Sequence, residues 1–364
     1  FTSISHAKTD TIIPNTNEAI KYMLHLLNNK EHTATEELDL LERLARSYAA
    51  FDMKNTYDSS VRGLHLAEKE KDIHYQTVFN SVIASTYIYQ AKYDTALLYL
   101  DKALVAVKKT GDKEKESTIY NGIANMYARQ GLFVNAVTYY MKILDLYEYI
   151  GPTRSYVLAL GNIGEIHRRL NNPERAVYSL EQERLLSDEL GIHTGRVQAY
   201  CELGRIYMNQ GNLDKALEFQ FKVLDLMGEN VSPVWASEAN EVIAKIHILK
   251  NENDKALSYA NECLHHAEIL GDPNIHVTAW NLLASIYLNQ KNYRKAEQFA
   301  MKAWETDSVS IDSGPDITYN IAQANIHLGN LEKASGFLEK NNIFNKKKAE
   351  KSMHETLLGM EIRY

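Results

Sequence analysis

The strongest constraint on how this chain folds is that its sequence repeats itself every 40 residues. Six segments share an aliphatic residue followed by a small residue, with Tyr or His three positions after the small one. The small residues are Ala84, Ala124, Gly164, Gly204, Ala244 and Ala284, and twelve residues after each comes an alanine, at Ala96, Ala136, Ala176, Ala216, Ala256 and Ala296. A seventh unit follows at Ala322 after a step of 38 residues, and a degenerate unit precedes the set around Ala45. This self-similarity predicts an array of small units, each packed on its neighbours.

Each unit has the pattern of two amphipathic helices joined by a turn. Apolar residues recur with a helical period in both halves of a unit. Turn residues such as Gln130-Gly131 and Asn171-Asn172-Pro173 separate the halves, and a second set, such as Gly271-Asp272-Pro273, separates the units. Gly and Asn tolerate the left-handed conformation that ends a helix, and the chain holds only 6 Pro and 17 Gly. The sequence therefore predicts an all-α fold, with a further helix at about Thr16 to Asn29.

The repeated residues resemble the signature of the tetratricopeptide repeat (TPR) family. Trp280-Asn-Leu-Leu283-Ala284-Ser-Ile-Tyr287 with Ala296 follows that signature closely, as does Tyr200-Cys-Glu-Leu203-Gly204-Arg-Ile-Tyr207 with Ala216. The resemblance covers roughly residues 35–340 and implies a TPR α-solenoid, a right-handed superhelix of antiparallel helix pairs. The family period is about 34 residues, so we expect longer helices here. Units of this length resemble those of bacterial peptide-sensing and signal-transduction TPR proteins.

Composition narrows the function classes. The chain has 40 Lys and Arg against 47 Asp and Glu, a net charge of -7, which argues against direct binding of nucleic acid because such proteins are usually basic. Two cysteines, Cys201 and Cys263, are too few for a disulfide framework. No stretch approaches the roughly 18 consecutive apolar residues of a membrane span.

The resemblance implies that the first helix of each unit lines a concave face that binds a peptide or protein. We predict ligand-binding residues on this face at Asn80, Asn121, Asn125, Asn162, Glu165, Arg168, Arg205 and Asn281. An asparagine amide can both donate to and accept from an extended peptide backbone. The alternative is that these asparagines are solvated or bridge helices. The arginines could hold a carboxylate, but salt bridges with Glu165, Glu202 or Glu174 are the favoured alternative.

The sequence predicts no catalytic or metal site. No zinc-protease helix, phosphate-binding glycine loop or nucleophile elbow occurs. The nearest approach to a metal site is Cys263 with His265 and His266, but Cys263 falls at a helix packing position, so a buried structural cysteine is favoured. His167 and His247 replace the signature Tyr and are predicted to be core residues. We expect no cofactor and no enzymatic activity.

The predicted domains are a leader with an N-terminal helix over 1–33, a TPR-like array of about eight helix pairs over 34–340, and a capping or connector helix over 341–364. The last segment is basic near Lys346, Lys347 and Lys348, then apolar at Met353, Leu357, Met360 and Ile362. It reaches Tyr364 without a helix terminator. The chain is therefore expected to be part of a longer protein.

These observations favour the sensor or regulatory part of a bacterial signal-transduction protein, with an output module beyond Tyr364. A membrane tether beyond Tyr364 and an extracytoplasmic location are favoured over a free cytoplasmic protein, and a homodimer is left open. The alternative is a stand-alone scaffold for a multiprotein complex. A peptide-regulated enzyme is a third hypothesis, disfavoured because only about 30 residues precede the array.

Overall fold

The computed structural model describes residues 16–29, 31–49, 52–226 and 233–361. These residues form helices and turns, with no strand among them. The helices are α1 (Thr16–Asn29), α2 (Ala34–Tyr48), α3 (Met53–Lys69), α4 (Ile73–Tyr89), α5 (Tyr93–Thr110), α6 (Lys113–Arg129), α7 (Phe133–Asp145), α8 (Tyr147–Ile150), α9 (Arg154–Arg169), α10 (Pro173–Leu190), α11 (His193–Asn209), α12 (Leu213–Asp225), α13 (Pro233–Leu249), α14 (Asn253–Leu270), α15 (Pro273–Asn289), α16 (Tyr293–Thr306), α17 (Gly314–Leu328) and α18 (Leu331–Glu361). The all-α prediction and the helix predicted at Thr16–Asn29 are confirmed. Within the described ranges, no helix has the length and apolar character that crossing a membrane requires.

The helices pack as consecutive antiparallel pairs, one pair for each sequence repeat. The pairs are α2/α3, α4/α5, α6/α7, α9/α10, α11/α12, α13/α14, α15/α16 and α17/α18. They fall into two compact units, unit 1 over Phe1–Ser155 and unit 2 over Tyr156–Tyr364. Inside each unit the first helix of a pair also contacts the first helix of the next pair, as α4 does with α6 and α13 with α15. The first helices of a unit therefore form a continuous layer. The division into leader, array and terminal helix stays a prediction.

The turn between the two helices of a pair repeats the same backbone geometry. One residue takes a positive φ at each 40-residue step, namely Ala91, Gly131, Asn171, Gly211, Asn251 and Lys291, with φ between 55° and 78°. This left-handed residue ends the first helix and lets the chain reverse. The side chain of the next residue caps the second helix in several pairs, as Asn172 and Asn212 do. The turns predicted from Gly and Asn are thus confirmed, and Ala91 shows that the geometry is imposed even where the residue disfavours it.

Aromatic stacking fills the interior of most pairs. A signature residue of the first helix stacks on an aromatic residue of the second helix in five pairs, with ring centroids 5.6–5.7 Å apart: Tyr87 on Tyr99, Tyr127 on Tyr139, Tyr207 on Phe219, His247 on Tyr259, and Tyr287 on Phe299. The α9/α10 pair differs, because Ser179 stands where the others have the second aromatic. His167 and His247 are buried as predicted. Burial, with the nearby charge of Arg175, lowers the pKa of His167 to about 4.

The terminal helix α18 runs for 31 residues, and it packs on α17 as the second helix of the last pair. Phe337 and Phe344 are buried and lie edge-on to Trp304. Further along, Lys351 pairs with Asp312 at 2.7 Å. The capping or connector role of residues 341–364 stays a prediction. The end of the predicted apolar pattern, from Ile362 to Tyr364, lies outside the described residues.

Replacing Ala91 with Gly should raise the free energy of unfolding by about 0.5–1 kcal/mol, because glycine adopts the left-handed conformation without the Cβ penalty. The matched control is Gly131→Ala, the same turn position in the next pair, which should lower it by about 1 kcal/mol. Urea unfolding followed by circular dichroism measures both. Equal effects of the two variants would contradict this account of the turn.

Candidate ligand-binding face

The candidate site is the surface made by the first helices within each unit. In unit 1, a cleft of about 330 Å³ opens among α2, α4 and α6, with Val78, Val82 and Ile119 beside the hydroxyls of Ser81 and Thr118. In unit 2, a cleft of about 480 Å³ opens between α15 and α17. Its lining is mainly polar and aromatic, with Asn289, Asp316, Tyr319, Asn320, Gln323 and His327 among its residues. We call the surface of α9, α11, α13, α15 and α17 the first-helix face of unit 2.

A chain of ion pairs crosses the first half of this face. Arg168 of α9 donates from Nε to Glu202 of α11. Arg205 of α11 donates from Nη2 to Oε2 of Glu238 on α13, 2.9 Å away. We call the whole set the ionic ladder: Arg168, Glu202, Arg205, Glu238, Glu241 and Lys245. It joins three successive first helices and fixes their register.

The ladder is only partly exposed to water, so its charges depend on one another. Burial raises the pKa of Glu238 despite the nearby Arg205. Burial would also raise the pKa of Glu241, but Lys245 and Arg205 lower it overall. The side chain of Arg205 is 24% exposed and serves both carboxylates. Arg168 and Arg205 therefore form salt bridges, which is the alternative favoured from the sequence. Of their partners, Glu202 was named in that prediction.

Glu165, also predicted on this face, lies apart from the ladder's hydrogen bonds. Its nearest cationic atom is Nη1 of Arg169, 3.7 Å away on the same helix. Burial raises the pKa of Glu165, and the charge of Glu202 adds to that rise.

The predicted asparagines divide into bridging and local roles. In unit 2, Asn162 accepts from Nε2 of Gln198 at 3.2 Å, and Asn281 accepts from Nδ2 of Asn320 at 2.8 Å. Both bonds join neighbouring first helices, as the helix-bridging alternative describes. In unit 1, Asn80 and Asn125 make hydrogen bonds inside their own helix pair. Asn80 is 5% exposed and donates to the carbonyl of Gln76, the hydroxyl of Tyr140 donates to Asn125, and the buried side-chain oxygen of Asn121 accepts no hydrogen bond within the described residues. A ligand role for these residues stays a prediction.

Four contributors to the face were not foreseen. Gln198, Glu238, Glu241 and Lys245 take part in the bridges and the ladder. The available signal was spacing, because an Arg on one first helix is followed 33–34 residues later by a Glu on the next. That spacing places the two on adjacent helices but does not say that their side chains meet.

The cysteine and histidine group resembles no metal centre. The side chain of Cys263 is fully buried, and its sulfur lies 3.2 Å from the hydroxyl of Ser237. Burial raises the pKa of this thiol to about 11. In the part of the chain that the structure describes, no three His, Cys, Asp or Glu residues are grouped as a metal would require. Cys263 is thus the structural cysteine that the sequence favours.

A buried carboxyl group lies beneath the face in the α9/α10 pair. Seven residues after the repeated alanine, the other pairs carry a buried apolar or cysteine residue: Ala103, Ile143, Val223, Cys263 and Ala303. The α9/α10 pair carries Glu183 there, and its side chain is 0% exposed. Burial, with a contribution from the charge of Glu202, raises the pKa of Glu183 well above its ordinary range. An alignment of the repeats identifies Glu183 as an outlier at this second-helix position, a signal that the pattern of the first helices does not contain.

The geometry defines a class, an α-solenoid repeat protein with a polar face built by its first helices. Sequence profiles described as tetratricopeptide repeat match residues 115–184, and residues 197–226 and 277–308. These segments are therefore tetratricopeptide repeats, as predicted, and the α4/α5, α13/α14 and α17/α18 pairs repeat the same turn geometry. A search of the curated proteins gave no significant match.

Solved structures with the same fold share little sequence with this chain. A Rap protein complexed with Competence and Sporulation Factor is 16% identical, with a TM-score of 0.59 over 92% of this chain and 93% of that one. The apo form of the quorum sensor NprR from B. thuringiensis is 13% identical, with a TM-score of 0.63 over 80% and 82%. Aspartyl phosphate phosphatase F from Bacillus subtilis is 14% identical, with a TM-score of 0.62 over 92% and 95%. At these identities the similarity concerns the fold alone.

Replacing Arg205 with Met should lower the free energy of unfolding by about 2 kcal/mol, because Glu238 and Glu241 would stay desolvated without their shared cation. The loss should be larger near pH 7.5 than near pH 5, since Glu238 loses this cation while Glu241 keeps Lys245, and the Glu238 carboxyl gains a proton more readily as the pH falls. Urea unfolding at both pH values measures it. The control Arg43→Met breaks the exposed pair with Asp39 on α2 and should cost less than about 0.5 kcal/mol. A pH-independent loss would refute the electrostatic explanation.

Replacing Glu183 with Val, the residue at the equivalent position 223, should stabilise the protein. A buried polar group without a partner costs about 1–3 kcal/mol, and valine removes that cost. The pKa of Glu183 is raised in the folded state, so the wild-type stability should fall as the pH rises above the ordinary glutamate pKa. The gain from Glu183→Val should therefore be larger near pH 8 than near pH 5 in thermal unfolding. A destabilised variant would mean that the carboxyl has a structural partner.

Proposed function

We propose that this chain is the ligand-recognising part of a bacterial regulatory protein, and that it binds a peptide or protein on its first-helix face. The observation that carries the proposal is the cleft between α15 and α17, a concave polar site of about 480 Å³. Such a volume lies within the roughly 300–1,000 Å³ of typical ligand pockets. The cleft lies between two first helices, and its lining holds none of the eight residues predicted from the sequence.

The groups around this cleft suit an extended peptide. Asn289 and Gln323 offer amides that can donate and accept, and Asp316 offers acceptors only. Tyr319 is 51% exposed at the cleft, and exposed aromatic side chains supply contact area at protein interfaces. A peptide backbone needs donors and acceptors alternately along its length, and this lining provides both.

The neighbours in fold support a regulatory role. One was solved with Competence and Sporulation Factor, and another is described as a quorum sensor. A third is described as an aspartyl phosphate phosphatase. We propose that the present chain acts by binding rather than catalysis, because the carboxylates of its ionic ladder are engaged by Arg and Lys. An output module beyond Tyr364, membrane attachment, an extracytoplasmic location and homodimerisation stay predictions.

A random heptapeptide phage library panned against the whole chain tests the proposal. Selected peptides, made synthetically, should bind in isothermal titration calorimetry. The double variant Asn289→Ala/Gln323→Ala should weaken binding at least about tenfold, or roughly 1.4 kcal/mol, because it removes the amides without opening the core. The control Asn261→Ala changes an exposed asparagine of the second helix α14 and should leave the affinity unchanged.

Two results would count against the proposal. The first is a library that yields no binding peptide. The second is a set of peptides that bind the double variant as tightly as the wild type, which would place their site elsewhere.

A further inference from the structure

The cleft between α15 and α17 contains an acid that the fold leaves unpaired. On the first helices of unit 2, the other carboxylates each pair with an Arg or a Lys: Glu165, Glu202, Glu238 and Glu241. Asp316 of α17 is exposed and lines the cleft. In the part of the chain that the structure describes, its carboxylate has neither an ion pair nor a hydrogen bond. This charge is therefore available to a ligand in the cleft.

The lining also contains one unpaired cation. Lys291 is the only Lys or Arg among the residues that line the cleft. It is exposed at the turn that follows α15, and no carboxylate of the described residues pairs with it. In the ionic ladder, by contrast, each arginine holds a glutamate of the next first helix. The cleft thus carries two opposite charges that do not neutralise each other.

These two charges lie at opposite ends of the cleft. One stripe of α17 lines it, with residues at steps of three or four along the helix: Asp316, Tyr319, Gln323 and His327. From Asp316 to His327 the helix rises by about 16 Å. Lys291 belongs to the His327 end, because it lies two residues before Tyr293, whose ring stacks on that of His327 with the centroids 4.1 Å apart.

Amide groups occupy the space between the charged ends. The side chains of Asn289 and Gln323 line the cleft and make no hydrogen bond within the described residues, whereas Asn320 already donates to Asn281. A free amide can pair with both groups of a peptide bond. A ligand along this stripe therefore meets an anion, then neutral amides, then a cation. A matching order of charges on the ligand is attracted at both ends, and the reverse order is repelled at both.

We propose that this cleft fixes the direction of a bound peptide, with a cationic group of the peptide at Asp316 and a carboxylate of the peptide at Lys291. The cation is an amino terminus or a Lys or Arg side chain, and the carboxylate is a carboxyl terminus or an Asp or Glu side chain. An extended chain spans about 16 Å with about five residues. Where both groups are termini, the peptide runs in the same direction as α17. The inference rests on the proposed function and adds an orientation and a charge pattern to it.

Peptides selected from the heptapeptide library and synthesised with free ends test the orientation by calorimetry. Loss of the peptide's positive charge should weaken binding to the wild type at least about fivefold, because a cleft excludes part of the water that screens surface charges. Acetylation removes the charge of an amino terminus, and norleucine or citrulline removes that of Lys or Arg. Loss of the negative charge, by amidation of the carboxyl terminus or by Asn or Gln substitution, should weaken binding to the same extent.

Each charge of the peptide should matter only while its partner in the cleft is present. In Asp316→Asn, loss of the positive charge should change the affinity less than about twofold, and loss of the negative charge should still weaken it. Lys291→Gln should show the reverse. The matched controls are Asp254→Asn, an acid in the first turn of α14, and Lys71→Gln, a lysine at another turn with positive φ. Both should behave as the wild type, and Asp254→Asn also reproduces the small loss of helix stability expected when such an acid is removed.

The possible results distinguish this orientation from the binding function itself. Peptides that depend on Asn289 and Gln323 but tolerate the loss of either charge would overturn the orientation and leave the binding function in place. A charge dependence that persists in Asp316→Asn and Lys291→Gln would also overturn it, since the charges would then be recognised elsewhere. A library without any binding peptide would overturn both proposals.

Discussion

Close contact between the two helices of each repeat is the interaction on which the rest of this structure depends. The small residue of the first helix and the alanine of the second are both fully buried, as Ala84 and Ala96 are. At Gly164 a Cβ would lie 2.6 Å from the side chain of Leu180, which shows how near the helices come. Small residues permit this distance, and larger ones would separate the helices and break the stacking of repeats. The spacing of first helices, and hence the face they form, follows from this contact.

Different side chains form the interior of the helix pairs and the first-helix face. The residues of the face can therefore change without a change in the interior packing. Stacked aromatic rings fill the gaps around the small residues, and lysines such as Lys142 and Lys222 lie over several of them. The face carries ion pairs in one part, amide bridges in another and open clefts elsewhere. The interior of the α9/α10 repeat differs from that of the other repeats. Ser179 replaces the stacked aromatic residue, and Glu183 is a buried acid. The α9/α10 repeat thus departs from the common interior at two positions of its second helix.

Most of the fold could be predicted from the sequence, and much less of the candidate site. The helix pairs, their turns and the buried positions follow from periodicity, because helical spacing fixes which residues share a side of a helix. The eight predicted site residues lie on first helices, as expected. However, Asn80 is buried, and Asn162 and Asn281 accept hydrogen bonds from the first helix of the next pair. Those partners were not foreseen, because they depend on the offset between helices that are 36–39 residues apart in sequence.

The 40-residue period is enough to predict an array of helix pairs, since regularly spaced small and apolar positions leave few other ways to bury a core. The sequence also predicts where the chain turns, because Gly and Asn at the turn positions readily adopt a positive φ. Three contacts are visible only in the folded structure. Arg168 pairs with Glu202, Arg205 pairs with two glutamates, and Glu183 packs against Gly161. The physical reason is that long polar side chains reach several positions on a neighbouring helix, and the axial shift between the helices selects among them.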